Sequence, residues 1–232
     1  MELIWRGFVK AIRLIASGDS DVLQITWLSL QVSGGATLLS LLVGIPAGMA
    51  LALTRFRGRG LCVALVNTGM GLPPVVVGLV VSIFLWRSGP LGLLQLLYTP
   101  TAMVIAQFIL AAPIVMGLTI AAMQQLNPKL RLQLLALGAS RWQMLWLLMR
   151  EARLPLLAAV MAGFGGVISE VGASMMVGGN IRGQTRVLTT ATVLETSKGN
   201  FDLAIALSVI LLVLTFTVNY LLTWIQQRGR AT

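Results

Sequence analysis

No charged residue occurs from Val22 to Thr54, and this long neutral stretch is the feature that most constrains the fold of the chain. A helix needs about 20 mostly apolar residues to cross the hydrocarbon core of a bilayer. Over the whole chain 57% of the residues are hydrophobic and 10% are charged, whereas soluble domains carry about a quarter charged residues. Polar groups are too few to cover a soluble fold, so we expect the chain to lie in a membrane.

Four further stretches are long and apolar enough to cross a membrane. They run from Leu61 to Trp86, from Thr101 to about Met123, from Leu154 to about Gly178 and from Leu203 to about Gln227. Together with the neutral stretch they predict an all-α membrane protein, in which residues 22–232 form one domain with five transmembrane helices.

Residues 1–21 differ from the predicted spans because cations interrupt their apolar pattern. Arg6, Lys10 and Arg13 alternate with apolar side chains that recur at helical spacing. These apolar side chains are Leu3, Ile4, Phe8, Ile12 and Ile15. The pattern predicts an amphipathic helix that lies in the membrane interface and is too short and too charged to span.

Five spans place the two termini on opposite sides of the membrane. If the N-terminus is outside, the inner side carries ten Lys and Arg residues and the outer side carries seven. The inner set includes Arg55, Arg57 and Arg59 directly beside a span, and also Arg228 and Arg230. Because cations concentrate in cytoplasmic loops, we expect the N-terminus outside and the C-terminus in the cytoplasm.

The residue types present exclude most catalytic sites. The chain has no histidine and only one cysteine, Cys62, which excludes His-based triads, intramolecular disulfides and Cys clusters for metals. It has no P-loop sequence, so ATP hydrolysis would need another subunit. The net charge of +10 comes from cations at the ends of apolar stretches, which indicates membrane topology and no nucleic acid partner. We therefore predict no catalytic residue, metal site or cofactor in this chain.

The predicted inner loop from Gln124 to Arg153 is the longest of the inner loops. Leu132, Leu135 and Ala136 share one helical spacing and Gly138 breaks it, which predicts a short surface helix followed by a turn. On its residue pattern alone, such a segment is either an interfacial connector or a functional loop.

This loop resembles the ATPase-coupling loop of ABC importer permeases. The likeness rests on Ala136–Gln143, which reads ALGASRWQ, and on the later pair Leu154-Pro155. Leu132–Leu134 stands where that family has Glu-Ala-Ala, and the interval from Gly138 to Pro155 is longer by about one helical turn. In that family the helix around the glycine docks on a cytoplasmic ATPase subunit, which binds ATP and magnesium. The resemblance implies a coupling surface made of Leu132, Gln133, Leu135, Ala136, Leu137, Gly138, Ala139, Ser140 and Arg141.

Two further blocks resemble the molybdate and tungstate members of these permeases. Gly71–Gly78 reads GLPPVVVG, like their double-proline segment. Ser169–Ala173 and Gly179–Arg186 read SEVGA and GNIRGQTR, and they are similar to a conserved block of the same group, with the tungstate branch closest. The likeness extends from about Thr26 to Trp224.

The resemblance implies a type I ABC importer permease fold in the cell inner membrane. Two copies of the chain would form a pathway that moves a tetrahedral oxyanion, tungstate before molybdate, by alternating access. The implied partners are cytoplasmic ABC ATPase subunits, an external oxyanion-binding protein and membrane lipid. Another anion such as sulfate, or an ion-driven secondary carrier, remains an alternative, although carriers normally have several acids within their spans and this chain has only Glu170.

Five residues within the spans are candidates for the pathway or its gate: Pro73, Pro74, Gln107, Glu170 and Ser174. Because proline donates no backbone N–H, Pro73-Pro74 predicts either a broken helix beside a cavity or a packing kink. A charge at mid-helix costs about 2.5–3.5 kcal/mol, so we expect Glu170 to face the interior, in a gate or a dimer interface. The amide of Gln107 and the hydroxyl of Ser174 suit weak contacts with a passing anion.

The predicted outer loop from Gly178 to Asn200 contains three candidate contact residues, Asn180, Arg182 and Arg186. A guanidinium group matches two oxygens of an oxyanion or a carboxylate at once. These residues therefore either attract the anion or dock the external binding protein.

Gly44 and Gly48 form a GxxxG pattern within the first predicted span. Small residues at this spacing let two helices approach closely. Packing within the chain and contact with a second copy both fit the pattern.

Overall fold

The computed structural model describes residues 2–228, and the regular elements in that part of the chain are all helical. Arg230, which the topology prediction counts as an inner cation, and Met1 lie outside the described residues. The helices are α1 (Glu2–Ala16), α2 (Ser20–Leu53), α3 (Arg59–Gly69), α4 (Pro74–Leu85), a 3-10 turn (Gly92–Leu94), α5 (Pro100–Gln124), α6 (Pro128–Ala136), α7 (Arg141–Glu151), α8 (Arg153–Ile168), α9 (Gly172–Gly178), α10 (Leu188–Ser197) and α11 (Phe201–Arg228). The predicted all-α class is confirmed.

Helices α2 and α5 form the centre of the bundle, and glycines bring their backbones close together. A Cβ atom on Gly48 would lie 2.8 Å from the carbonyl oxygen of Met116, and one on Gly44 would lie 3.2 Å from that of Ala112. Neither position has room for a larger side chain. The two glycines of the GxxxG pattern therefore allow α2 to pack closely against α5 within one chain.

Three described helices, α2, α5 and α11, are each long and apolar enough to cross a membrane. Two bent pairs raise the number of candidate spans to as many as five: α3 with α4, bent by 102°, and α7 with α8, bent by 72°. The first bend lies at Pro73-Pro74, where a broken helix was predicted.

The prediction of one helix from Leu154 to Gly178 is wrong. Helix α8 ends at Ile168, and the irregular residues Ser169–Val171 separate it from α9. The break accompanies a close approach to α4, because a Cβ atom on Gly172 would lie 2.7 Å from Cγ2 of Val75. The long apolar stretches on both sides led to the prediction of one helix, although Ser169 and Glu170 lie at the break itself.

Helix α10 occupies part of the segment that was expected to be an irregular outer loop. Its sequence is rich in threonine, which has a low intrinsic helix propensity. Burial of Leu188 and Ala191 against α11 favours the helix, and the hydroxyl of Thr192 donates to the carbonyl of Leu188 within it. Tertiary packing here outweighs local propensity.

Helix α1 packs along α11 through its small residues. Gly7 and Ala11 are buried, and a Cβ atom on Gly7 would overlap the side chain of Ile205. The large apolar side chains of α1 face outward, as the predicted amphipathic helix requires. Its position in the membrane interface stays a prediction.

The two ends of the bundle differ in charge. One end, here called the Gly138 end, holds α6, α7 and the C-terminus of α2, and its only acid among the described residues is Glu151. The other, the Arg186 end, holds α9, α10 and the N-terminus of α2. Acids accompany the cations there, and they are Asp19, Asp21, Glu170, Glu195 and Asp202.

Candidate functional site

The Gly138 turn is built by local hydrogen bonds. Gly138 adopts a φ of 77°, in the left-handed region that glycine tolerates best. Its N–H donates to the carbonyl of Leu135, and the N–H of Ala139 donates to that of Leu134, both at 3.0 Å. This pattern ends α6 in the way that glycine commonly ends helices, and the predicted short helix and turn are confirmed.

Side-chain caps hold the two helices on either side of this turn. The side chain of Asn127 accepts a hydrogen bond from the backbone N–H of Lys129 at the start of α6. Ser140 and Gln143 form a reciprocal capping box at the start of α7. The start of each helix is therefore stabilised by hydrogen bonds within the segment itself.

The predicted coupling residues lie together and mostly face outward. Leu137 is 84% exposed, and the adjacent Trp142 is 83% exposed. Leu132, Gln133, Leu135, Ala136, Gly138, Ser140 and Arg141 are also exposed, and Ala139 is half-buried. Trp142 was not among the predicted residues, although a large aromatic residue directly after the predicted turn was a readable signal. We call Leu132, Leu135, Leu137 and Trp142 the apolar patch.

Arg131 attaches this region to the end of α2, and Arg59 attaches the start of α3 to the same end. The guanidinium of Arg59 donates to the carbonyl of Leu51, and that of Arg131 donates to the carbonyl of Leu53, both at 2.7 Å. The last carbonyls of a helix have no partner within it and carry partial negative charge, so a cation stabilises them. The apolar patch is thus fixed relative to the central helices.

The predicted gate residues Pro73 and Pro74 begin α4, which packs tightly against α9. The carbonyl of Pro73 accepts hydrogen bonds from the N–H groups of Val76 and Val77 at 3.0 and 3.2 Å. A Cβ atom on Gly78 would lie 2.8 Å from the Cα of Ala173. The first turns of α4 therefore pack against α9, the helix that follows Glu170.

Glu170 lies at the break between α8 and α9, so its predicted position at mid-helix is wrong. Its buried carboxylate accepts a hydrogen bond from the N–H of Ala173 at 2.7 Å. Its backbone carbonyl accepts one from the hydroxyl of Thr189 at 3.0 Å. The carboxylate thereby satisfies a free N–H group at the start of α9 and links α9 to α10.

Gln107 and Ser174 meet inside the bundle. The Gln107 amide donates to the Ser174 hydroxyl at 3.1 Å, and the two residues are 2% and 0% exposed. The other amide atom, Oε1 of Gln107, has no hydrogen-bond partner among residues 2–228. This contact joins α5 to α9, and both residues are buried within the chain.

Arg186 is engaged by its own loop. Its guanidinium donates to the side-chain oxygen and to the backbone carbonyl of Asn180, both at 3.3 Å. Asn180 has a φ of 54°, which asparagine tolerates better than most residues. Its amide donates in turn to the carbonyl of Thr190. Arg186 therefore holds the shape of the loop, with its side chain half-buried.

Thr185, which the sequence reasoning missed, is the buried centre of this loop. Its hydroxyl donates to the carbonyl of Gly178 at 2.5 Å and accepts from the N–H of Ile181 at 3.0 Å. Its side chain is fully buried. A threonine in a polar loop gives no sequence signal for such a role, because surface threonines look the same.

Three contacts tie the loop to the first turns of α2. Arg182 forms an exposed ion pair with Asp21. The amide of Gln24 donates to the carbonyl of Gly183 at 3.2 Å. The buried hydroxyl of Ser29 accepts a hydrogen bond from the N–H of Leu188 at 2.8 Å. The Arg186 end is therefore held by residues far apart in the chain.

Comparison with known proteins gives consistent matches. Residues 44–231 match the family described as binding-protein-dependent transport system inner membrane component. The chain is 42% identical to a tungstate uptake system permease protein of Peptoclostridium acidaminophilum, over 98% of this chain and 100% of that protein. It is 34% identical to the tungstate uptake system permease protein of Campylobacter jejuni, over 95% of this chain and 92% of that protein.

A solved structure matches the fold. The inward-facing MetNI methionine ABC transporter aligns with a TM-score of 0.75, over 90% of this chain and 96% of that chain. The sequence identity in this alignment is 20%. The likeness therefore shows a shared fold alone.

Proposed function

The chain belongs to the family of binding-protein-dependent transport system inner membrane components, and from that premise we propose that it is the permease subunit of an ATP-driven tungstate importer. Its fold is the type I ABC importer permease fold that the sequence predicted. The observation that carries the proposal is the match along the full length of a tungstate permease. Molybdate is the next candidate substrate, because it is a tetrahedral dianion of nearly the same size as tungstate, whereas sulfate has the same shape and charge but is smaller.

The apolar patch is proposed as the surface that docks on the ATPase subunit, where ATP and magnesium bind. Exposed apolar groups beside cations suit a protein contact, and the predicted coupling residues surround the patch. The caps and the Arg131 bond to α2 support transmission of motion from the patch to the bundle.

Two copies of the chain are proposed to enclose the pathway, with five spans in each copy. Helices α4 and α9 are the proposed gate, because both begin at breaks and pack against each other. Pro73 and Pro74 provide one break. Glu170, Gln107 and Ser174 are proposed to position α9, since their polar groups bond within the chain.

The Gly138 end is proposed to face the cytoplasm, with the N-terminus outside and the C-terminus inside. The Arg55, Arg57 and Arg59 cluster beside a span and the cations of α6 and α7 support this orientation, because Lys and Arg concentrate in cytoplasmic loops. The predicted interfacial helix α1 then lies on the outer side, beside α10 and the start of α11.

The Arg186 end is proposed to receive the external oxyanion-binding protein through Asn180, Arg182 and Arg186. Arg182 is exposed, whereas Arg186 is half-buried against Asn180. Arg182→Glu should weaken stimulation of ATP hydrolysis by the loaded binding protein with only a small decrease in melting temperature, because its ion pair with Asp21 is exposed. Arg186→Glu should lower both the stimulation and the melting temperature, because it also releases the loop. Equal stimulation in both variants and the parent would remove these residues from the docking surface.

Uptake by reconstituted vesicles tests the proposed function. The chain is incorporated with its ATPase subunit, the binding protein is placed outside, and ATP or ADP is placed inside. We expect tungstate uptake when ATP is inside the vesicles and no uptake when ADP is inside. Molybdate should inhibit this uptake more than sulfate does. Uptake that follows a proton or sodium gradient without ATP would instead identify a secondary carrier.

A further inference from the structure

Four cations between α2 and α11 lie at the Arg186 end, and three of them have partners. Arg182 pairs with Asp21, Arg186 bonds to Asn180, and Lys198 pairs with Glu195 at 2.9 Å. The fourth, Arg87, makes no hydrogen bond or ion pair with any of residues 2–228. Its charge is therefore the one in this group that no acid or amide of the described chain engages.

Arg87 lines a cavity of about 390 Å³ between the end of α4 and the start of α5. The polar side chains of this cavity are those of Arg87, Gln95 and Tyr98, and no acid lines it. Guanidinium, amide and phenol groups all donate hydrogen bonds. The rest of the wall is apolar and includes Trp86 and Leu97. This combination favours a ligand that accepts several hydrogen bonds and carries negative charge.

The backbone holds two of these donors in unusual conformations. Gln95 and Tyr98 have φ angles of 50° and 63°, in the left-handed region that residues with side chains rarely adopt. The N–H of Tyr98 is fixed by the carbonyl of Val177 at 2.9 Å. A Cβ atom on Gly92 would overlap the carbonyl oxygens of Trp86 and Arg87, so the loop folds back tightly. Such conformations persist where the surrounding structure enforces them, and they cluster at functional sites.

We propose that the cavity lined by Arg87, Gln95 and Tyr98 binds a tetrahedral oxyanion. A guanidinium group matches two oxygens of such an anion, and the amide and phenol can donate to the others. A single cation leaves a dianion only partly neutralised, which allows release into a pathway. The identification of the anion as transported tungstate rests on the proposed function. A lipid headgroup phosphate has the same chemistry, and Trp86 and Tyr98 are typical of membrane interfaces.

Direct binding tests the proposal without transport. The complex of the chain with its ATPase subunit is placed in phosphatidylcholine nanodiscs without binding protein, and bound tungsten is measured after equilibrium dialysis against tungstate. We expect Arg87→Gln to weaken binding roughly tenfold or more, since it removes a charged hydrogen bond. Lys198→Gln removes the same charge at the same end, outside the cavity, and should leave binding unchanged. Equal tungstate binding by Arg87→Gln and Lys198→Gln, together with equal retention of phosphatidylglycerol, would overturn the site.

Milder variants keep the test informative if Arg87→Gln fails to fold. Tyr98→Phe removes one hydroxyl and should weaken tungstate binding severalfold. Arg87→Lys should bind tungstate more weakly than the parent and more tightly than Arg87→Gln. Unchanged tungstate binding and unchanged retention of phosphatidylglycerol in both Tyr98→Phe and Arg87→Lys would overturn the site.

A lipid arm separates the two sources of the anion. The same variants are compared for phosphatidylglycerol retained after purification, measured by native mass spectrometry. Loss of tungstate binding in Arg87→Gln identifies the free anion, and loss of retained phosphatidylglycerol alone identifies a lipid phosphate.

Tungstate binding through Arg87 in a complex that shows no ATP-driven uptake would contradict the proposed function and leave the site standing. ATP-driven uptake by the parent, with no effect of Arg87→Gln on tungstate or lipid binding, would support the proposed function and contradict the site.

Discussion

The two ends of the bundle are ordered by different kinds of contact. At the Gly138 end, the caps and the glycine turn use residues within a few positions of each other. At the Arg186 end, the loop is joined to α2 by pairs that are 159 and 161 residues apart. The Gly138 turn and its caps are ordered locally and leave apolar side chains exposed, while Arg131 and the buried Met144 and Leu148 join α6 and α7 to the bundle. The Arg186 end is ordered by contacts between residues far apart in the chain, and its polar side chains bond to groups of the same chain.

The two ends therefore differ in how they can contact a partner. A locally ordered helix and turn keeps its shape when its apolar patch is separated from a partner, so it can act as a preformed docking surface. The Arg186 end keeps its shape only if the bundle is intact. Changes there should therefore alter stability before they alter contacts.

The largest expected effect on stability is at Ser29, in the fold-dependent end. Ser29→Ala leaves the N–H of the buried Leu188 without a partner and should cost about 1–3 kcal/mol. The matched control is Ser40→Ala in the same helix, because the buried Ser40 hydroxyl bonds only to the Ala36 carbonyl of its own helix. The melting temperature of the purified chain in detergent measures both. Equal losses would show that the long-range bond contributes little.

The next effect is at Gly138, in the locally ordered end. Gly138→Val forces a β-branched residue into the left-handed region at a cost of about 1–2 kcal/mol, although a Cβ atom there meets nothing within 4 Å. We expect ATP-driven uptake to fall about tenfold, with the chain still folded in the membrane. Gly18→Val imposes similar strain away from the coupling surface, at a φ of 63° in open space. Equal uptake by the two variants would contradict a special role of the turn.

A smaller effect separates the two arginines of the outer loop. Arg186→Gln removes two hydrogen bonds to Asn180 and should cost about 1 kcal/mol. Arg182→Gln removes an exposed ion pair and should cost about 0–1 kcal/mol. Thermal melting at low and high salt distinguishes them, because salt screens the exposed pair more strongly. A larger loss in Arg182→Gln would reverse the assigned roles.

The smallest effect is a dependence on pH at Glu195. Hydrogen bonds from Lys198 and Asn200 hold the pKa of Glu195 below its ordinary value of 4.5, despite burial, and the charges of Lys198 and Arg186 act in the same direction. Because the pKa is lower in the folded chain, the ionised carboxylate stabilises the fold above pH 4.5. This contribution is lost as the pH falls below that value through the lower folded pKa.

Glu195→Gln should therefore lose less stability than the parent on acidification. Melting temperatures measured from about pH 7 to pH 3 check this. Parallel curves for the two proteins would mean that the pair contributes nothing.

Sequence patterns predicted the long helices and the Gly138 turn because both depend on local properties. The ends of α2, α5 and α11 lie close to the predicted limits of three neutral apolar stretches. Capping residues and a glycine mark the inner loop. The break at Ser169–Val171 and helix α10 were missed, since they depend on contacts between α4, α9 and α11 that no local pattern records.

Apolar length and glycine conformation are local properties, so the residue pattern was enough to predict a helical membrane protein with a glycine-centred turn between helices. Which cations at the Arg186 end bond to other residues of the described range 2–228 depends on the tertiary structure. Residue type pointed to Arg182 and Arg186 as contact residues, yet the fold pairs both and leaves Arg87 facing a cavity. The physical reason is that the partner of a charge is set by the residues that folding brings within hydrogen-bond distance.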